Sequence, residues 1–154
     1  MRYWMMKCEP NAYNMDDLKK APHQTTNWEG VRNYQARNML RDEIKQGDMA
    51  FYYYSNAKVP GIAGTMEIVK SGYPDFTAWD PENRYYDPVS TPNNPRWYQV
   101  DVKLVQQFDS LIPLSALRAN SNLADLWILR KGNRLSVTPV SDNQWKEILS
   151  LVRL

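Results

Sequence analysis

Residues 28–41 read W-E-G-V-R-N-Y-Q-A-R-N-M-L-R, and the fold turns on this stretch. An indole and a glycine open it, and a helical pattern comes next. Asn33, Arg37 and Arg41 recur four apart, so on a helix they share one stripe, while Ala36, Leu40 and Ile44 form the neighbouring apolar stripe. The helix predicted here buries one side and presents an amide and two guanidiniums beside it. Trp28 at its mouth is a flat surface suited to stacking. The simpler reading of the same spacing is an ordinary amphipathic helix with a solvated polar face. Gly47 is well placed to cap its end.

On either side of this helix the chain alternates short strands with turns. Residues 2–7, R-Y-W-M-M-K, form a first strand that Glu9-Pro10 stops, because Pro10 cannot donate to a ladder. Asn14 caps a short helix with Asp16 and Asp17 in its first turn, ending near Lys20. Residues 21–27 read as a polar loop. Residues 48–54, D-M-A-F-Y-Y-Y, are a second strand and residues 62–69 a third, where Gly61 and Gly64 mark a bulge, a bend or a close backbone approach. A long irregular stretch, residues 71–95, holds Pro74, Pro81, Pro88, Pro92 and Pro95. Its Trp79, Tyr85 and Tyr86 argue for an ordered loop packed on the domain. Residues 96–108 give the clearest alternation, with Tyr98, Val100, Val102 and Leu104 against Gln99, Asp101 and Lys103. A short helix at 113–119, a further turn at 120–126 and a basic turn at 130–134 lead to a last strand, 135–140. Ser141 with Gln144 is a capping box, and the helix it opens puts Trp145, Ile148, Leu149 and Val152 on one face. The pattern predicts one α+β domain over residues 1–154, built on a small, bent or closed sheet of five or six strands flanked by helices.

Composition narrows the function. With 19 basic and 17 acidic residues the net charge is +2, too balanced to hold long nucleic acid by charge alone. The chain favours 10 Tyr and 6 Trp over 3 Phe, and an apolar body with a polar handle suits pockets as well as cores. Cys8 and His23 are each the only residue of their kind, so no intramolecular disulfide and no Cys/His metal cluster are available. His23 would have to serve any nucleophile as base, yet it lies in the polar loop A-P-H-Q-T-T. No apolar run reaches signal-peptide or membrane-spanning length. The expectation is a monomer in a reduced, cytoplasmic setting, with no membrane, metal or cofactor.

The chain resembles the EVE domain family nearly end to end. The resemblance rests on K-C-E-P at 7–10, W-E-G-V-R-N-Y-Q-A-R-N at 28–38 and F-Y-Y-Y-S-N at 51–56. It also rests on P-G-I-A-G at 60–64, Y-Y-D-P at 85–88, W-Y-Q-V-D-V at 97–102 and G-N-R-L-S-V at 132–137. Cys8 departs from the serine more usual in the family; a side-chain hydroxyl contact is lost there, while a backbone contact survives. The resemblance implies a PUA-like small β-barrel, related to YTH and ASCH domains, and a module that takes chemically modified nucleobases of DNA or RNA into a pocket.

The residues make physical sense of that expectation. An unstacked base offers two faces and a polar edge. Trp28 stacks on one face, with Tyr86, Trp79 or Trp97 closing the other. Asn33 and Asn56 serve the edge, since an amide both donates and accepts. Lys7, Cys8, Glu9 and Pro10 at the end of the first strand bound the pocket, together with Ser55, and the loop near Tyr85 to Asp87 covers it. Arg32, Arg130 and Lys131 hold flanking phosphates. Plainer readings compete: Arg32 pairing Glu29, Ser55-Asn56 as a turn, and Arg130-Lys131 as a solvated turn. Two other functions stay open. One is an enzyme acting on a modified base with Glu9 and Asp87 as general acid and base. The other is a PUA-like protein that reads RNA shape, which needs a broader basic surface.

Overall fold

The computed structural model describes residues 1–152. Its first strand, β1 (Tyr3–Cys8), runs parallel to β3 (Met49–Tyr54), and the remaining ladders are antiparallel. The sheet is completed by β2 (Thr25–Trp28), β4 (Gly61–Pro74), β5 (Tyr98–Pro113) and β6 (Val137–Val140), in the order β2-β5-β4-β3-β1-β6. Six strands match the expected number, but the ladder does not close into a barrel. The edge strands β2 and β6 have four residues each and pair only inward, and the turn at Trp127–Leu129 packs against β6.

Both faces of the central strands are covered, which is why β1 and β3 read as nearly unbroken apolar runs. Trp4, Met6, Ala50, Tyr52, Met66 and Ile68 join one core. Met5, Phe51, Tyr53 and Ile62 join the other. Over the first face lies α2 (Tyr34–Asn38), prolonged by a π-type turn at Met39–Glu43, with Ala36, Leu40 and Ile44 all fully buried. Over the second lies α4 (Asp142–Ser150), which contributes Trp145 and Ile148; Leu149 is largely solvent-facing. Its Ser141–Gln144 capping box forms, as does a reciprocal Asn14–Asp17 box on α1 (Met15–Lys20). The short helix α3 (Leu114–Ala119) comes after β5.

Three local expectations are corrected. The central helix does not reach Gly47: Ile44 is already extended, and its amide bonds the Met39 carbonyl five residues back. The segment 21–27 is not simply a loop, because Thr25 onward pairs with β5. The irregular stretch begins later, since β4 continues to Pro74. Gly61 and Gly64 do mark irregular pairing. The β4 register shifts between Ile62 and Gly64, and a Cβ at Gly64 would collide with the Gln106 carbonyl and lie 2.6 Å from Met15 Cε. Such bulges bend the strand and increase its twist.

Candidate functional site

A cavity of about 630 Å³ opens where the sheet fails to close. One wall comes from β2 and the residues just beyond it, Thr26 to Val31. The other comes from the end of β1 (Lys7, Cys8, Glu9), Ser55 after β3, and Arg134 and Ser136 on the approach to β6. Tyr13 and Ala12 close one side, and Arg84 and Tyr85 reach in from the proline-rich loop. Backbone hydrogen bonds fix the second wall: the Lys7 amide donates to the Ser136 carbonyl at 2.8 Å, and the Ser55 amide to the Cys8 carbonyl at 3.1 Å.

Tyr85 is held against the opposite wall by a buried charge. Asp75, fully buried, accepts from the Gly30 amide at 2.8 Å and from Arg32 Nη1 at 3.0 Å. Arg32 also donates to the Tyr85 carbonyl at 2.8 Å. Gly30 sits at φ +82°, and a Cβ there would run into the Tyr85 ring, 2.6 Å from Cε2. Glycine is therefore required both by the backbone angle and by the close approach. On its other side Tyr85 meets the Arg84 guanidinium, 4.9 Å from the ring centre.

The cavity mixes charge types at close quarters. Burial pulls the Lys7 ammonium below its ordinary value. Burial pushes the Cys8 thiol up. The Glu29 carboxyl is raised by burial first and by the nearby Asp75 charge second, with the Asn27 hydrogen bond offsetting part of this. Arg84 and Arg134 stand exposed at the rim.

Lys7, Cys8, Glu9, Trp28 and Ser55 of the expected set line this cavity. Trp28 does so as part of the core, 7% exposed and edge-on to Tyr52 at 5.2 Å. Pro10 and Asn56 lie outside the lining, although Asn56 at φ 50° donates to Glu9 Oε1 at 3.3 Å. Asn33 is spent as the N-cap of α2, accepting from the Ala36 amide at 3.0 Å. Arg32 is bound to Asp75 and not to Glu29, with its side chain partly exposed. Trp97 is buried against Tyr34 and donates to Asp87 at 2.7 Å. That bond, ahead of the others it accepts, holds the Asp87 carboxyl below its ordinary range, and Arg96 Nη1 lies 3.5 Å away. Asp87 therefore props the loop, and it is not brought into the cavity with Glu9. Trp79 and Tyr86 also lie outside; Trp79 Nε1 is buried with no hydrogen-bond partner among the described residues. Arg130 stacks on Trp127 at 4.2 Å, and neither it nor Lys131 reaches the cavity; Arg134 of the same turn does. Tyr85 lies in the loop expected to cover the pocket, whereas Tyr13, Asn27, Glu29, Arg84 and Arg134 carry no site signal of their own in the sequence. Only Glu29 falls within the W-E-G-V-R-N stretch at the mouth of the central helix.

No group of three or more metal-ligating side chains converges among the described residues. An open mixed sheet of six strands flanked by helices places the chain in the PUA-like α+β class. Within that class the chain belongs to the EVE domain family, whose profile matches residues 2–151. Human thymocyte nuclear protein 1 is 42% identical over 97% of this chain and 73% of its own length. A crystal structure of a protein from Pseudomonas putida is 43% identical with a TM-score of 0.92, covering 97% of this chain and 98% of that one. Human THYN1 protein, solved in complex with 5-methylcytosine-containing DNA, is 42% identical with a TM-score of 0.91, covering 98% and 97%.

Proposed function

We propose that this chain is a non-catalytic module that takes a modified base of DNA, 5-methylcytosine or a close relative, into the cavity beside β2. The observation that carries the reading is the cavity itself: aromatic and polar walls inside, exposed guanidiniums at the rim. The 5-methylcytosine DNA held by the 42% identical human THYN1 supports the choice of ligand. Extruding a base costs a few kcal/mol. Stacking on an aromatic ring returns about 1–3 kcal/mol per base, and Tyr85 supplies it once the Arg84 guanidinium leaves the ring for a flanking phosphate. Arg84 and Arg134 hold the flanking phosphates, which fixes register and carries no sequence information.

Titrating fluorescently labelled DNA that carries one central 5-methylcytosine, beside the same DNA unmodified, tests this. The wild-type chain binds the modified DNA more tightly. The double variant Arg84→Ala, Arg134→Ala weakens both DNAs alike and leaves their ratio unchanged. Equal wild-type affinity for the two DNAs would overturn the proposal.

A further inference from the structure

We infer that Asn27 and Glu29 form an acceptor-only wall, which selects a pyrimidine bearing an amine at position 4 over one bearing an oxygen there. This rests on the base-binding reading above and names the chemistry that the cavity admits.

The inference starts from a chain of two amides, Gln99 and the half-buried Asn27, that ends on the exposed Glu29. Gln99 is fully buried, and its Nε2 donates to the Pro74 carbonyl at 3.2 Å. Its Oε1 is thereby turned toward Asn27, whose Nδ2 donates to it at 2.9 Å. The same Nδ2 donates to Glu29 Oε2 at 3.2 Å. An amide nitrogen has two hydrogens, and both are now used. Flipping the Asn27 amide would set its oxygen against two other oxygens, so the network fixes its orientation. What Asn27 and Glu29 still offer is Asn27 Oδ1 and Glu29 Oε1, neither of which has a protein donor among the described residues. Both side chains line the cavity. A ligand edge set there must bring N–H groups.

Thymine and 5-methylcytosine share ring shape and methyl group. They differ at two positions of the polar edge: cytosine carries an NH₂ donor at position 4 and an acceptor at N3, thymine an oxygen acceptor at position 4 and an N–H donor at N3. Set between the two acceptors, the position-4 amine satisfies both with its two hydrogens, whereas thymine turns its position-4 oxygen onto lone pairs and has only the single N3–H to offer. Glu29 and Asn27 are thus specificity-determining residues, while stacking and phosphate contacts are blind to this difference.

The full chain is titrated with single-stranded oligonucleotides carrying 5-methylcytosine, thymine or unmodified cytosine at one central position, so that no duplex has to open. Wild type prefers 5-methylcytosine to thymine by about tenfold. Glu29→Gln keeps the shape and adds a donor, so thymine binding rises to match or exceed that of 5-methylcytosine. Glu29→Ala loses the preference without gaining thymine. Thermal melts confirm that each variant folds. If Glu29→Gln and Glu29→Ala both keep the wild-type ratio, the wall is not the discriminator. If wild type prefers 5-methylcytosine to cytosine but treats thymine equally, the acceptor wall falls and the base-binding reading survives. If wild type binds none of the three, both fall.

Discussion

Arg32 shows how a residue type that suits a ligand can be spent on the protein itself. Its guanidinium satisfies Asp75, the Tyr85 carbonyl and Thr77 at once, and this joins the end of β2 to the proline-rich loop. A bidentate donor suits phosphate and buried carboxylate equally well, so the sequence could not separate the two uses. Asn33 repeats the lesson: an amide before a helix is both a base-edge reader and an N-cap, and here the cap takes it. Legible from sequence were residues whose place depends on strand ends, such as Lys7, Cys8 and Ser55. Tyr85 was legible as part of the covering loop; illegible were Arg84 and Arg134, whose neighbours named the right loop and turn but not the side chain that reaches the cavity. Removing Arg32 leaves Asp75 buried with hydrogen bonds but no counter-charge. Arg32→Ala is therefore expected to cost about 3 kcal/mol of stability. Urea unfolding of the variant beside wild type measures it, and a loss under about 0.5 kcal/mol would show that the backbone and Thr77 donors suffice.

At the scale of elements, strong periodicity survived and short or irregular pieces did not. The alternation in β5 and the apolar stripe of α2 were readable because packing enforces them over several turns or residues. β2 escaped because four residues, T-T-N-W, with only the last buried, carry no period of their own; their structure comes from pairing with β5. The π-type turn escaped because it changes the helical repeat without changing which residues are apolar. The glycines of β4 do mark a bend, and the packing explains why. At Gly64 the backbone of β5 and the Met15 side chain occupy the space a Cβ would need. The Gln106 carbonyl is fixed in a ladder and cannot yield as a flexible side chain would. Gly64→Ala is thus expected to destabilise the fold by about 1–3 kcal/mol. Gly47→Ala makes an instructive partner, since no atom lies within 4 Å there and only its φ of +96° resists the change. A calorimetric comparison in which Gly64→Ala costs no more than Gly47→Ala would refute the close-approach account.

For the whole molecule, the open sheet decides how charge is used. The sheet stays open, and the cavity lies between β2 and the end of β1 with the approach to β6, with three cations in its lining. Lys7, Arg84 and Arg134 are the cations lining it, and the net charge of +2 leaves little for long-range attraction. Lys7 sits partly desolvated, so a phosphate beside it would stabilise the ammonium that burial disfavours. The rest of the binding energy has to come from stacking and from the base edge, which salt does not screen. If two or three phosphates are neutralised, the affinity for duplex DNA should fall by about ten- to forty-fold between about 50 and about 200 mM salt. Anisotropy titrations across that range give the slope directly. In Arg84→Ala the slope should drop by about one phosphate, while the preference for the modified base holds. A wild-type slope corresponding to eight or more phosphates, on the order of that for proteins that grip long DNA by charge, would mean that the nucleic acid lies across a broader surface. The cavity would then not be the principal contact.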